Sequence, residues 1–169
     1  MDSAVWAFIG TLIGTLIGGC VSIATTTITA RNASKIHSLK TKDEREERAR
    51  IFQRDTLLIT QETLQDLMRL ASRIYLADKI AFRQNGRWGA NTIDDDLDEL
   101  FRATNQKFSC QIQRIFDESV RNKLKEQHSL VSNISLVESE ADAETALRAA
   151  GDNFEIVMEK LGDLLRANY

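Results

Sequence analysis

The chain of 169 residues contains no proline. Proline removes a backbone donor and breaks helices, so nothing of that kind interrupts a long helical segment here. Histidine and cysteine are scarce: His37, His128, Cys20 and Cys110 are all there are. No CxxC pair and no HExxH motif can be built from them, and no zinc-type spacing results. Cys20 lies in an uncharged stretch and Cys110 in an amphipathic one, so a disulfide between them is not expected. They read as free thiols in a reducing compartment. Nor is there a nucleophile–base pattern or a glycine-rich phosphate loop; "GRWG" at Gly86 does not have that spacing. These absences predict a protein without enzymatic activity, cofactor, metal or small-molecule substrate.

Charge is missing from one region altogether. Between Ser3 and Ala30 there is no Asp, Glu, Lys, Arg or His. A helix crosses the hydrocarbon core with about 20 residues, and "AVWAFIGTLIGTLIGGCVSIATTT" supplies that length. Trp6 falls where a headgroup-level aromatic belongs, and Thr25 to Thr29 suit the opposite interface. A cleaved signal peptide would begin with basic residues and carry a shorter apolar core. Residues 1–30 are therefore expected to form a transmembrane helix. The alternative, a core helix of a soluble domain, is disfavoured by the length of the run. Positive charge follows at Arg31, Lys35, Lys40 and Lys42, with no acidic residue until Asp43. By the positive-inside rule the N-terminus lies outside and the remainder in the cytoplasm, as in a single-pass protein of a bacterial inner membrane.

Within the span stands "GTLIGTLIG", Gly10 to Gly18, a four-residue repeat. Residues four apart stack on one helix face, so Gly10, Gly14 and Gly18 align, with Ala7, Thr11, Thr15 and Ser22 beside them. Small residues at this spacing let membrane helices approach closely. The expected role is a helix–helix contact, with a second copy or with another membrane protein. Leu12, Ile13, Leu16 and Ile17 take the lipid-facing side. The hydroxyls of Thr11, Thr15, Ser22 and Thr25 would either line a polar seam or bond their own helix; the latter is the commoner behaviour. The basic residues Arg31, Lys35, Lys40 and Lys42 set topology and are candidates for contact with anionic lipid.

Beyond the span the pattern is helical throughout, which makes the fold class all-α. Residues 31–56 read as a charged juxtamembrane helix. Thr41-x-x-Glu44 has capping-box spacing and marks a place where a helix would restart, although a continuous helix is favoured. From 57 to 169 three amphipathic helices are expected, at about 57–85, 92–127 and 140–167. Their apolar stripes are Leu57, Leu64, Leu67, Met68, Ala71, Ile74, Tyr75, Ala81, Phe82; then Leu97, Leu100, Phe101, Phe108, Ile112, Ile115, Phe116, Val120, Leu124; then Ala143, Leu147, Ala150, Phe154, Val157, Leu161, Leu164. Asn85-Gly86 is a stop signal, Thr92-x-x-Asp95 and Ser139-x-x-Asp142 are start signals, and "HSLVSNISLVES" reads as a connector. Such helices pack as an antiparallel, coiled-coil-like three-helix bundle.

The cluster Asp94 to Glu99 lacks the alternation and central glycine of a calcium loop and fits a helix N-terminus instead. Asn32-Ala-Ser34 and Asn133-Ile-Ser135 match the glycosylation pattern but would face the cytoplasm. Trp88 beside the arginines of the turn is either a contact residue or folds back on the bundle. Residues 91–169 hold 9 basic against 16 acidic side chains, which argues against nucleic acid as a partner. Two functional expectations follow. The first is an oligomerising anchor, scaffold or sensor subunit of a membrane complex, whose bundle docks a cytoplasmic protein partner or its own copies. The second is a membrane-disrupting, pore-forming effector of toxin or defence type, in which the bundle gates oligomerisation of the span.

Overall fold

The structure is a computed structural model. It describes residues 3–89 and 94–168, residues 3–8 and 24 by their backbone alone. Among the described residues the secondary structure is helical: α1 (Ser3–Asn85), α2 (Asp95–Ile112), α3 (Glu118–Ile134) and α4 (Glu140–Ala167). The chain divides into two compact units, Met1–Arg48 and Ala49–Tyr169.

In the first unit α1 runs unbroken through residues 31–42. The Thr41 hydroxyl donates to the His37 carbonyl at 2.9 Å. It therefore bonds back within the helix instead of capping a new one, and the restart signal goes unused.

The second unit has one hydrophobic core. Leu57, Leu64, Leu67, Ala71 and Ile74 of α1 meet Phe108 and Ile112 of α2, Leu124 and Val131 of α3, and Ala150, Val157 and Leu161 of α4. Each large side chain of this kind stabilises by roughly 1.5–3 kcal/mol when fully buried. α1 ends at Asn85, and Gly86 takes φ +70°. Its N–H donates to the Phe82 carbonyl at 2.8 Å, closing the last turn in the left-handed conformation that glycine adopts without penalty. The chain then folds back. Trp88 packs at 5.9 Å from both the Tyr75 and Phe82 rings, which resolves its role in favour of a cover over the core.

Two expectations about the bundle need correction. The helix expected at 92–127 is two helices, α2 and α3, separated by residues 113–117, so the second unit draws on four helices and not three. The apolar stripe hid this break because its spacing carries through it: Ile112 and Ile115 are both buried on either side of the end of α2. Two members of that stripe are not core at all. Leu100 is 50% exposed and Phe116 65% exposed. The start signal for α3 is Asp117, whose carboxylate accepts from the Val120 N–H at 2.8 Å. The connector also proves shorter than "HSLVSNISLVES". α3 continues to Ile134 because Val131 and Ile134 keep the core spacing of Leu124.

The remaining caps follow simple chemistry. Asp94 caps α2, and Asp95, Asp96 and Asp98 occupy its first turn, where their charge complements the helix dipole. The start signal at Thr92 lies outside the described residues. Ser139 caps α4 as its spacing implies: its hydroxyl oxygen accepts from the Asp142 N–H at 3.1 Å and donates to the Asp142 carboxylate at 2.7 Å.

Candidate membrane and assembly surfaces

From Ile9 onward, the large apolar side chains of the uncharged part of α1 lie outside. Leu12, Ile13, Leu16 and Ile17 are each at least half exposed, and none of the apolar window is buried in the protein. Among the described residues this is the one helix long and apolar enough to cross a membrane.

Helix geometry brings the small residues to one side. At about 100° per residue, Gly10, Thr11, Gly14, Thr15, Gly18 and Ser22 fall on a common face. A Cβ added at Gly10, Gly14 or Gly18 meets nothing within 4 Å, so these glycines leave an open surface and relieve no contact inside the chain. Ala7 belongs to the same face by its place in the helix; its side chain lies outside the described residues. A shallow apolar groove of about 350 Å³, lined by Leu12, Thr15, Leu16, Gly19, Cys20 and Ile23, lies on the other side of the helix and shares only Thr15 with this face. The repeat draws attention to Gly10, Gly14 and Gly18, yet the groove lies over Gly19, which the repeat does not include.

Four hydroxyls of the segment are turned inward on their own helix. Thr15 donates to the carbonyls of Thr11 (2.7 Å) and Leu12 (3.0 Å). Thr25, Thr26 and Thr27 each donate four residues back, at 2.7–2.8 Å. This is how a hydroxyl is satisfied in an apolar surrounding, and it takes Thr15 and Thr25 away from any polar lining.

Arg31, Lys35 and Lys40 are exposed. Lys42 is exposed as well but stands 3.7 Å from Glu46 one turn on. A pair this open to solvent contributes a few tenths of a kcal/mol and exchanges readily with other anions.

The second unit contains two polar arrangements that the apolar stripes gave no hint of. Gln53, buried on α1, spans the break between α2 and α3. Its Nε2 donates to the Arg114 carbonyl at 2.7 Å and its Oε1 accepts from the Phe116 N–H at 2.9 Å. Arg121 donates to the Ile115 carbonyl at 2.8 Å. Backbone groups freed by the break are thereby paired, as burial demands. Next to it the exposed rings of Phe52 and Phe116 lie tilted to one another with centroids 6.5 Å apart.

The other arrangement centres on Gln127, which is fully buried on α3. Its Nε2 donates to the Ala150 carbonyl of α4 (3.0 Å) and to the Met68 thioether sulfur of α1 (3.2 Å). Its Oε1 accepts from the Asn153 Nδ2 of α4 at 2.7 Å. One side chain thus fixes the alignment of three helices. A period of three and four marks a position as inward-facing but does not say that a polar residue will fill it. A Gln among leucines at that period was the available signal.

Lys79 of α1 joins the start of α4. Its Nζ lies 3.0 Å from the Tyr75 hydroxyl and 3.3 Å from Glu140. The Tyr75 hydrogen bond, then Glu140, raise its pKa above the ordinary lysine value. Asp78 is raised by burial.

His128 differs. Its ring lies 5.9 Å from Phe108, and its Nε2 is buried with no hydrogen-bond partner among the described residues. Burial pushes its pKa below the ordinary 6.5. The unfolded chain therefore takes up a proton near pH 6.5 while the folded chain resists until a lower pH. The stability from keeping His128 neutral is complete above pH 6.5 and declines as the pH falls below it. We expect the denaturation midpoint to drop between about pH 7.5 and about pH 5.5, and His128→Gln to flatten that drop. An equal drop in the variant would assign the effect to other groups.

No group of three His, Cys, Asp or Glu side chains is placed to hold a metal ion among the described residues. Cys20 and Cys110 are free and exposed. No family model matches the chain, and no match is found among curated proteins or solved structures.

Proposed function

We propose that the chain is a single-span membrane protein that acts by assembly. Residues 3–30 cross the bilayer, the N-terminus lies outside, and residues 31–169 are cytoplasmic. The observation that carries this reading is residues 3–30 of α1: a helix without charge, whose described large apolar side chains find no cover within the chain. Exposed apolar surface on that scale is stable in lipid and not in water. The orientation follows from Arg31, Lys35, Lys40 and Lys42. A fully buried polar anchor at Gln127 and a capped interior break at Gln53 suit a structural or docking module. The proposed role is an anchor, scaffold or sensor subunit of a membrane complex, without catalysis.

The assembly contact we assign to the face of Gly10, Gly14 and Gly18. Small-residue faces of this kind support close helix approach in lipid. The back-bonded hydroxyls of Thr15 and Thr25 favour packing over a water-filled lining, which favours this role over a pore-forming effector.

Helix geometry makes the contact testable. Ser22 lies on the glycine side, whereas Cys20 is two residues from Gly18, about 200° around the helix. With Cys20→Ala and Cys110→Ser as background, Ser22→Cys is expected to form a disulfide-linked dimer in membranes on mild oxidation. Leu16→Cys, on the lipid side, is expected to form none. Equal cross-linking at both positions would mean random collision and remove the assignment.

A further inference from the structure

Just beyond the uncharged stretch, α1 carries two large apolar side chains among polar ones. Ile36 is 66% exposed and Leu39 53% exposed. At about 100° per residue they lie about 60° apart; Ile28 falls beside them, and Asn32 is the one polar side chain of the segment that falls between them. Lys35 and Lys42 border this strip on one edge and Lys40 on the other. The far side of the helix holds Ser34, Ser38 and Thr41, and the hydroxyls of Ser38 and Thr41 are bonded to their own helix at 2.8 and 2.9 Å. An apolar strip edged by lysines, with a small polar back, is the pattern of a helix that lies in a membrane interface.

Length and charge point the same way. The uncharged stretch of 28 residues is about 42 Å long as a helix, against about 30 Å of hydrocarbon. Such an excess is accommodated by tilt or bending, which brings one side of the emerging segment down to the headgroups. No carboxylate occurs between Ser3 and Lys42, so the segment presents only cations to that surface. A second copy fits the strip poorly. With Ile36 and Leu39 at a parallel helix seam, Lys35 of one copy would face Lys40 of the other.

We infer that α1 bends where it leaves the bilayer, so that residues 31–42 lie as an interfacial helix docked on an anionic lipid leaflet. Ile36 and Leu39 sit at the boundary of headgroups and acyl chains, and Lys35, Lys40 and Lys42 reach lipid phosphates. Lys42 exchanges its exposed contact with Glu46 for a phosphate. This inference rests on the membrane reading above and specifies what the basic segment does there.

The test uses the full chain with Cys20→Ala and Cys110→Ser, spin-labelled at single cysteines and reconstituted in vesicles. One set of vesicles is phosphatidylcholine alone; the other contains about a third phosphatidylglycerol. In the anionic vesicles a label at Leu39→Cys is expected to be accessible to oxygen and shielded from a water-soluble relaxant. A label at Ser38→Cys stays open to water in both sets. Replacing Lys35, Lys40 and Lys42 by Gln should return the label at 39 to water, each lysine accounting for about a fivefold change in the docked population, from about 1 kcal/mol per cation. A label at 39 that is water-accessible in anionic vesicles, or that broadens through a neighbouring spin on a second chain, overturns the inference. A label at Leu16→Cys separates the two levels. If it is buried in lipid while 39 is not, only the docking fails; if it is open to water, the membrane reading fails with it.

Discussion

Replacing Gln127 by alanine is expected to lower the stability of the second unit by about 3 kcal/mol. Two effects add. The truncation leaves a cavity where a fully buried side chain stood. It also strands the Asn153 amide, which now donates to Gln127 at 2.7 Å, and an unpaired buried donor costs about 1–3 kcal/mol. Trp88 offers a local readout, since its ring packs against Tyr75 and Phe82. Denaturation of the full chain in mild detergent, with Trp6→Phe to isolate that signal, measures the change. The double variant Gln127→Leu with Asn153→Leu removes both partners and keeps the volume, so it should lie within about 1 kcal/mol of the parent. A single truncation as mild as the double replacement would show that the Gln127 contacts do not hold the helices in register.

The second large effect belongs to the span. Gly14→Ile is expected to reduce the Ser22→Cys dimer yield at least about tenfold. The parent glycine has nothing within 4 Å of a Cβ position, so the larger side chain does not strain the helix itself. It projects a branched side chain where a neighbouring backbone would approach, and close approach is the source of attraction between spans in lipid. The same substitution leaves the Gln127 and Gln53 contacts untouched, so the Trp88 unfolding signal should not move. Loss of the dimer together with loss of that signal would point to general misfolding; an undiminished dimer would place the contact elsewhere, with the groove over Gly19 the next surface to probe.

These two expectations draw on parts of the chain that were unequally readable beforehand. Residues 3–30 are legible as a helix long and apolar enough to cross a membrane through what they lack, because a span tolerates little charge and requires length. The stripes of α1 and α4 were equally plain, as Leu57, Leu64, Val157 and Leu161 are buried at the expected spacing. Ser139 and Gly86 marked their boundaries through chemistry that needs only one side chain or none. The break at 113–117 did not show, because an apolar period reports direction and not continuity. Its real signals were an Asp at a helix start and a distant Gln53, and the second of these acts across more than sixty residues of chain. Gln127 was hidden for a related reason: inward position is periodic, but polarity within the core is decided by which partners happen to face it. The face of Gly10, Gly14 and Gly18 was legible as a pattern of small residues four apart.

The proposed assembly and lipid contacts all require residues 3–30 to cross the membrane. Thiol labelling in intact cells tests it most directly, with an impermeant reagent on the full chain carrying Cys20→Ala and either Ser3→Cys or native Cys110, which is exposed. With Cys110→Ser present, Ser3→Cys should react from outside. Cys110 should react only after the cells are opened, and the chain should stay with the membrane at alkaline pH. Reaction of Cys110 in intact cells, or release of the chain into the alkaline supernatant, would contradict it.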